Sequence, residues 1–158
     1  MQLTILVATM TGTAEMVADE MEQALGDAGH EVDVKMMDDL DVSVFAAGGA
    51  FIICTSTYGF GNVPDNAIEF LEKLEAAHPD LSDVRYGVFA LGDHTYSDTF
   101  CHGGTRFDEL LTKLGAHRVG DIRQHDASST ELPEEVAPGW ALEWVMQLEA
   151  AGAAAEPN

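Results

Sequence analysis

Basic residues are scarce in this chain: seven lysines and arginines face 28 aspartates and glutamates, a formal net charge of −21. Sequence-independent binding to nucleic acid needs a basic surface that displaces phosphate counterions, so that class is excluded. The imbalance favours a basic partner, with plain solubility or adaptation to a salty cytoplasm as the simpler readings. Cysteine is scarcer still. Cys54 and Cys101 form neither a CxxC pair nor a disulfide framework, which points to a reducing, cytoplasmic setting. Six histidines are scattered without an HExxH or other paired spacing, so no metal site is expected. Long apolar runs are missing too: the longest mostly apolar stretch, residues 45–54, is too short and glycine-rich to cross a bilayer. Residues 3–8 read as a strand with no basic segment before them, so neither a secretory signal nor a membrane association is expected.

What is present is alternation. With 158 residues, 46% of them hydrophobic, the chain is long enough for one domain with a substantial core. That domain is expected over residues 1–150, with an alanine-rich, fraying tail at 151–158. Short apolar runs predict strands over residues 3–8, 31–36, 50–55, 85–91 and 117–122. Between them, apolar residues at helical spacing predict helices. The first spans 13–28, with Met16, Val17, Met21, Ala24, Leu25 and Ala28 inward and Gly29 as its stop. A second opens at Pro64 and Asp65, with Ile68, Phe70, Leu71 and Leu74 as its core face. A third covers 105–114 and closes at Gly115; the last covers 134–150 after Pro133, where Trp140 and Trp144 read as core packing. Five strands alternating with helices indicate an α/β fold, a doubly wound parallel sheet with helices on both faces and strand order 2-1-3-4-5. Such sheets bind ligands beyond the carboxyl ends of their strands, so the loops after strands one, three and four are the places to look.

The first of these loops is Thr9, Met10, Thr11, Gly12, Thr13 and Ala14. Three hydroxyls flank a glycine, with no charged residue among them. The N–H groups and dipole at a helix N-terminus favour an anion, Gly12 lets the backbone curl round it, and threonine hydroxyls add donors. The loop suits a phosphate monoester held by neutral donors, though an ordinary helix cap looks similar. It is neither the GxxxxGK[ST] of nucleoside triphosphatases nor the GxGxxG of dinucleotide folds. The second loop sets Ser56, Thr57, Tyr58 and Gly59 beside Phe60 and Gly61. Tyr58 can cover one face of a flat ring, and the Gly59 peptide can turn either way; a plain turn with its aromatics folded onto the core is the alternative. The third loop runs Leu91, Gly92, Asp93, His94, Thr95, Tyr96, Ser97, Asp98, Thr99 and Phe100, and offers a second aromatic in Tyr96. Two rings and a phosphate loop at one sheet edge describe a slot for a planar heterocycle carrying a phosphate. Cys54, inside a strand, reads as a small hydrophobe.

With TMTGTAE at 9–15, STYG at 56–59, PDN at 64–66, LGDHTY at 91–96, FC at 100–101 and FDELLTKLGAHR at 107–118, the chain resembles the flavodoxin-like FMN-binding family. The likeness covers nearly the whole chain, in particular to MioC-type short flavodoxins and to the FMN module of the sulfite reductase flavoprotein. One departure is the Ser97, Asp98, Thr99 stretch, a residue longer than that likeness leads one to expect. The resemblance implies FMN as cofactor, with its phosphate on residues 9–14 and its isoalloxazine between Tyr58 and Tyr96. Ser56, Thr57, Gly59 and residues 91–100 would line the ring and ribityl chain, with Asp126 at a polar position nearby. It further implies a soluble, monomeric, low-potential one-electron carrier rather than an enzyme, with no catalytic residue of its own. Its partners would be an NAD(P)H-dependent flavodoxin or ferredoxin reductase and basic-faced acceptor proteins. Two other readings stay open, an FMN-dependent NAD(P)H:quinone reductase and a detached FMN module of a diflavin reductase complex. A phospho-receiver domain would need an acidic cluster where this chain has Thr9, Met10, Thr11 and Gly12.

Overall fold

The structure, a computed structural model, describes residues 2–8, 12–37, 40–45, 49–56, 65–92, 102–126 and 131–155. Its strands are β1 (Gln2–Ala8), β2 (Glu31–Met36), β3 (Gly49–Ser56), β4 (Val84–Gly92), β5 (His117–Arg118) and β6 (Arg123–Asp126). All pair in parallel, in the order β2-β1-β3-β4-β5, with β6 also pairing β4. Among the described residues four α-helices, α1 (Thr13–Asp27), α2 (Asp65–Ala77), α3 (His102–Lys113) and α4 (Pro133–Ala155), cover the sheet, and α4 runs five residues past Ala150.

The central strands are apolar along their length because both of their faces are covered. Leu3, Ile5, Val7, Ile52 and Cys54 pack with α1 and α4, while Leu6, Ala8, Phe51 and Ile53 pack with α2 and α3. Each leucine or isoleucine so buried contributes about 1.5–3 kcal/mol. The helices stop where glycine predicts: Gly29 at φ 96° and Gly115 at φ 102° follow α1 and α3.

Two helix faces match the expectation at Val17, Met21 and Leu25 and at Phe70, Leu71 and Leu74, and differ at Met16, Ala28 and Ile68, which are exposed. In α1 the buried stripe is Ala14, Val17, Ala18, Met21 and Leu25, and Met16 is 44% exposed. In α2 it is Ala67, Phe70, Leu71 and Leu74, leaving Ile68 39% exposed. Both stripes follow i, i+3, i+4, i+7 starting from an alanine, and each exposed residue lies about 100° round from one of the buried ones. Alanine at the contact lets the helix approach the sheet closely, and the bulkier neighbour is left at the rim.

The fifth strand position is also not one run over 117–122. Arg118 pairs Tyr86 and Arg123 pairs Phe89, so four residues, 119–122, face only Gly87 and Val88. The Trp144 indole fills this place. It donates to the Val119 carbonyl at 3.0 Å and lies over Gly87, where a Cβ would come within 2.6 Å of its Cε2. Trp140 stacks on Trp144 at 6.3 Å, bearing out both indoles as core packing. On the opposite face Asp108 holds α3 to the sheet. Its carboxylate accepts from the Tyr86 hydroxyl at 2.6 Å and pairs with Arg118 at 2.8 Å. Burial first, then that carboxylate, push the Tyr86 pKa up.

β6 is held by His125, which is 2% exposed and lies parallel to Phe89 at 6.4 Å. Burial, and then Arg123, lower its pKa below the ordinary 6.5, against Glu131, Asp126 and Glu134. The fold therefore favours neutral His125, and the unfolded chain takes up the proton more readily. Its stabilisation is present above pH 6.5 and is lost as pH falls through the lowered folded value.

Two outcomes are expected. Gly87→Ala should destabilise the protein by about 1–3 kcal/mol, by pushing Trp144 off the sheet; chemical denaturation at fixed salt measures it, and an unchanged midpoint would contradict this packing. In an NMR titration His125 should ionise below 6.5, and the stability advantage of the wild type over His125→Gln should shrink as the pH drops below that value.

Candidate functional site

Strand register brings the carboxyl ends together. Ala8 lies opposite Thr55, Thr55 opposite Ala90, Ser56 opposite Leu91, and Gly92 opposite Asp126. Neighbouring parallel strands are about 4.8 Å apart, so β1, β3, β4 and β6 all stop along one edge, and the chain segments 9–11, 57–64, 93–101 and 127–130 leave from it. The expected Thr9, Met10, Thr11, Thr57, Tyr58, Gly59 and residues 93–100 lie in those segments, outside the described residues, as does Cys101. Gly12, Thr13, Ala14, Ser56, Leu91 and Gly92 are described, and all six flank this edge.

At β1 the chain turns through Gly12, which stands at φ 89°, a left-handed conformation that favours glycine. The first intrahelical bond runs from Met16 N–H to the Gly12 carbonyl at 3.0 Å, so α1 starts its dipole at this edge. The helix start is fixed from beneath: Cys54 Sγ donates to the Ala14 carbonyl at 3.4 Å. Cys54 is fully buried, and that burial raises its pKa far above the ordinary 9.0, so it is an anchor and a small hydrophobe, not a thiolate.

The third loop is anchored at both its ends on β4. It leaves from Gly92 and re-enters at α3, whose first turn sits so close that a Cβ on Gly104 would come 2.6 Å from the Ala90 Cβ. The sequence reading missed Gly104; the glycine pair at 103–104 opening a helix was its signal. It missed buried His125 as well, since a lone histidine in an alternating strand carries no distinctive pattern. Asp126 ends β6 beside Gly92, which brings it to the same edge.

The electrostatics of the edge follow from where the cations are. All seven, Lys35, Lys73, Arg85, Arg106, Lys113, Arg118 and Arg123, fall outside residues 9–14, 56–59 and 91–100. Among the described residues three of them are in ion pairs, Lys73 with Glu69, Arg118 with Asp108 and Arg123 with Glu131. A phosphate at this edge would therefore be held by backbone N–H groups and hydroxyls. Among the described residues no cluster of three or more His, Cys, Asp or Glu could hold a metal, and no helix is long and apolar enough to cross a membrane.

Comparison with known proteins agrees with this geometry. Residues 5–140 match the flavodoxin family. The flavodoxin YqcA of Pectobacterium carotovorum is 37% identical over 94% of this chain and 98% of its own. A cysteine variant of the flavodoxin from Pseudomonas aeruginosa superposes with a TM-score of 0.84 at 36% identity, over 94% of this chain and 99% of that one. The sulfite reductase flavoprotein alpha-component of Bacillus subtilis is 35% identical over 99% of this chain, which matches 25% of that protein. Topology, site edge and sequence thus agree, and the chain belongs to the flavodoxin family of FMN-binding electron carriers.

Proposed function

We propose that FMN lies across the carboxyl edge of the sheet, its phosphate on Thr9 to Ala14 and its isoalloxazine between Tyr58 and Tyr96. Ser56, Thr57, Gly59 and residues 91–100 line the ring and ribityl chain. The observation that carries this reading is the common end of β1, β3 and β4 at Ala8, Ser56 and Gly92, from which the three loops issue. The donor set fits: a helix opening at left-handed Gly12, threonine hydroxyls, and no Lys or Arg between residues 9 and 14. Bound there, FMN supplies the one-electron chemistry, and the chain supplies binding, orientation and the surrounding charge.

The chain acts in this reading as a soluble, cytoplasmic, monomeric low-potential carrier between an NAD(P)H-dependent reductase and basic-faced acceptors. A charge of −21 supports the basic partner, because complementary charge steers encounter and sets register. The acids expected to surround the ring-binding loops are Asp65, Glu69 and Glu72, on the helix that follows the second loop, and Asp93 and Asp98 in the third loop. A second reading, a detached FMN module working inside a fixed reductase complex, is favoured by the match of nearly the whole chain to a quarter of the sulfite reductase flavoprotein. Transfer to several unrelated acceptors supports the free carrier; transfer confined to one co-purifying reductase supports the module.

Removing the hydroxyl of Thr11 or Thr13 should each weaken FMN by about 1–3 kcal/mol, and riboflavin should bind much more weakly than FMN. Calorimetry on the apoprotein measures both, and equal affinity for the two flavins would refute the phosphate assignment. Electron transfer to cytochrome c, followed by stopped flow with folding checked at each salt concentration, should slow steeply as ionic strength rises. Asp93→Asn with Asp98→Asn should flatten that dependence more than Asp19→Asn with Glu22→Gln on α1. Equal effects would mean that net charge alone acts and that no docking face surrounds the site.

A further inference from the structure

Between β5 and β6 residues 119–122 leave the ladder, and the space between that excursion and α4 is a cleft of about 460 Å³. Its walls include Asp121, Arg123, Trp140, Glu143 and Gln147. None of these residues takes part in the FMN reading. We propose that the cleft seats an arginine side chain of a basic redox partner, as an anchor separate from the carboxyl edge; the inference rests on the carrier reading above.

Three observations carry it. The first is chemistry: a half-buried indole beside two exposed carboxylates, Asp121 and Glu143, is a complement for a planar cation. Arg123, the cation in its wall, is already turned to Glu131, with Nη2 to Oε2 at 3.6 Å. The second is preorganisation. Trp140 is fixed before any partner arrives, stacked on Trp144 at 6.3 Å and edge-on to Phe89 at 5.5 Å, and Trp144 is tied to the Val119 carbonyl. An incoming side chain thus orders little of the cleft that receives it. The third is position and field. α1 and α4, packed together on one face of the sheet, contain nine acids and no Lys or Arg. Phe89, against which Trp140 rests, is three residues from Gly92, about 10 Å along the strand from the carboxyl edge. A partner anchored in the cleft would keep its surface beside that edge.

The test is an ¹⁵N NMR titration of the FMN-loaded protein with an acetylated, amidated hexa-arginine peptide, at an ionic strength of about 0.15 M where the Debye length is about 8 Å. With two tryptophans in the chain, the indole region holds two side-chain signals. The Trp140 indole and the amides of residues 120–124 should shift together and saturate. Glu143→Gln, an exposed change that leaves the core intact, should weaken binding about two- to fivefold, and Trp140→Leu by a similar factor. Glu22→Gln on α1 should weaken it less. Shifts spread evenly over α1 and α4 with Trp140 unmoved, or equal weakening by Glu143→Gln and Glu22→Gln, would overturn the cleft. Salt-sensitive reduction of cytochrome c alongside a silent Trp140 would discard the cleft and keep the carrier reading. A responding Trp140 in a protein that passes no electron to cytochrome c would keep the cation site and remove the carrier reading.

Discussion

β1 and β3 are covered on both faces, and nearly everything else in the molecule follows from covering them. Their side chains alternate between two apolar layers, one with α1 and α4 and one with α2 and α3. Parallel strands need crossover connections, and the helical crossovers of this chain are what cover the sheet on both sides. Parallel strands in register finish together, and the loops that follow β1, β3 and β4 are thereby brought to one edge. The functional edge is a consequence of how the core is covered. Its anchors belong to the same layers: Cys54 beneath the start of α1, and Ala90 beneath Gly104 at the start of α3.

Charge is distributed with comparable economy. Twenty-eight acids repel one another, and seven cations offset them only to a net −21. None lies on α1 or α4. Arg118 is used where burial makes a charge pair informative, against the Asp108 carboxylate that also receives the Tyr86 hydroxyl, and its Nε donates to the Gly120 carbonyl at 3.0 Å. That bond stands at the start of the excursion between β5 and β6, so the polar latch on one face and Trp144 on the other grip the same irregular segment. The α1 and α4 layer is left with acid alone.

Much of this was legible in the sequence, for physical reasons that also mark where legibility ends. The strand over residues 31–36 and the glycine stops at 29 and 115 were read at their observed places, because period-two alternation and a left-handed stop are local signals. The strand order was legible because handed crossovers leave few topologies for five parallel strands. The inward faces of α1 and α2 were read correctly at Val17, Met21, Leu25, Phe70, Leu71 and Leu74 but took in exposed Met16 and Ile68 and passed over Ala14, Ala18 and Ala67, since a stripe that begins on alanine hides behind larger neighbours. The break at 119–122 had a signal, Gly120 followed by Asp121, two residues poorly suited to a strand interior. The Tyr86–Asp108 bond and the Trp144 seat on Gly87 had none, because each joins residues more than twenty positions apart. At the site, the loop chemistry was legible from residue types, and the topology accounts for why those loops meet.

The central claim is that the carboxyl edge of this sheet holds one FMN. The visible absorption spectrum of the purified protein, with flavin released and counted against chain concentration, tests it most directly. Flavin bands at one FMN per chain, or their appearance when FMN is added to a colourless preparation, are the result this account predicts. A folded, colourless protein that takes up no added FMN would contradict it.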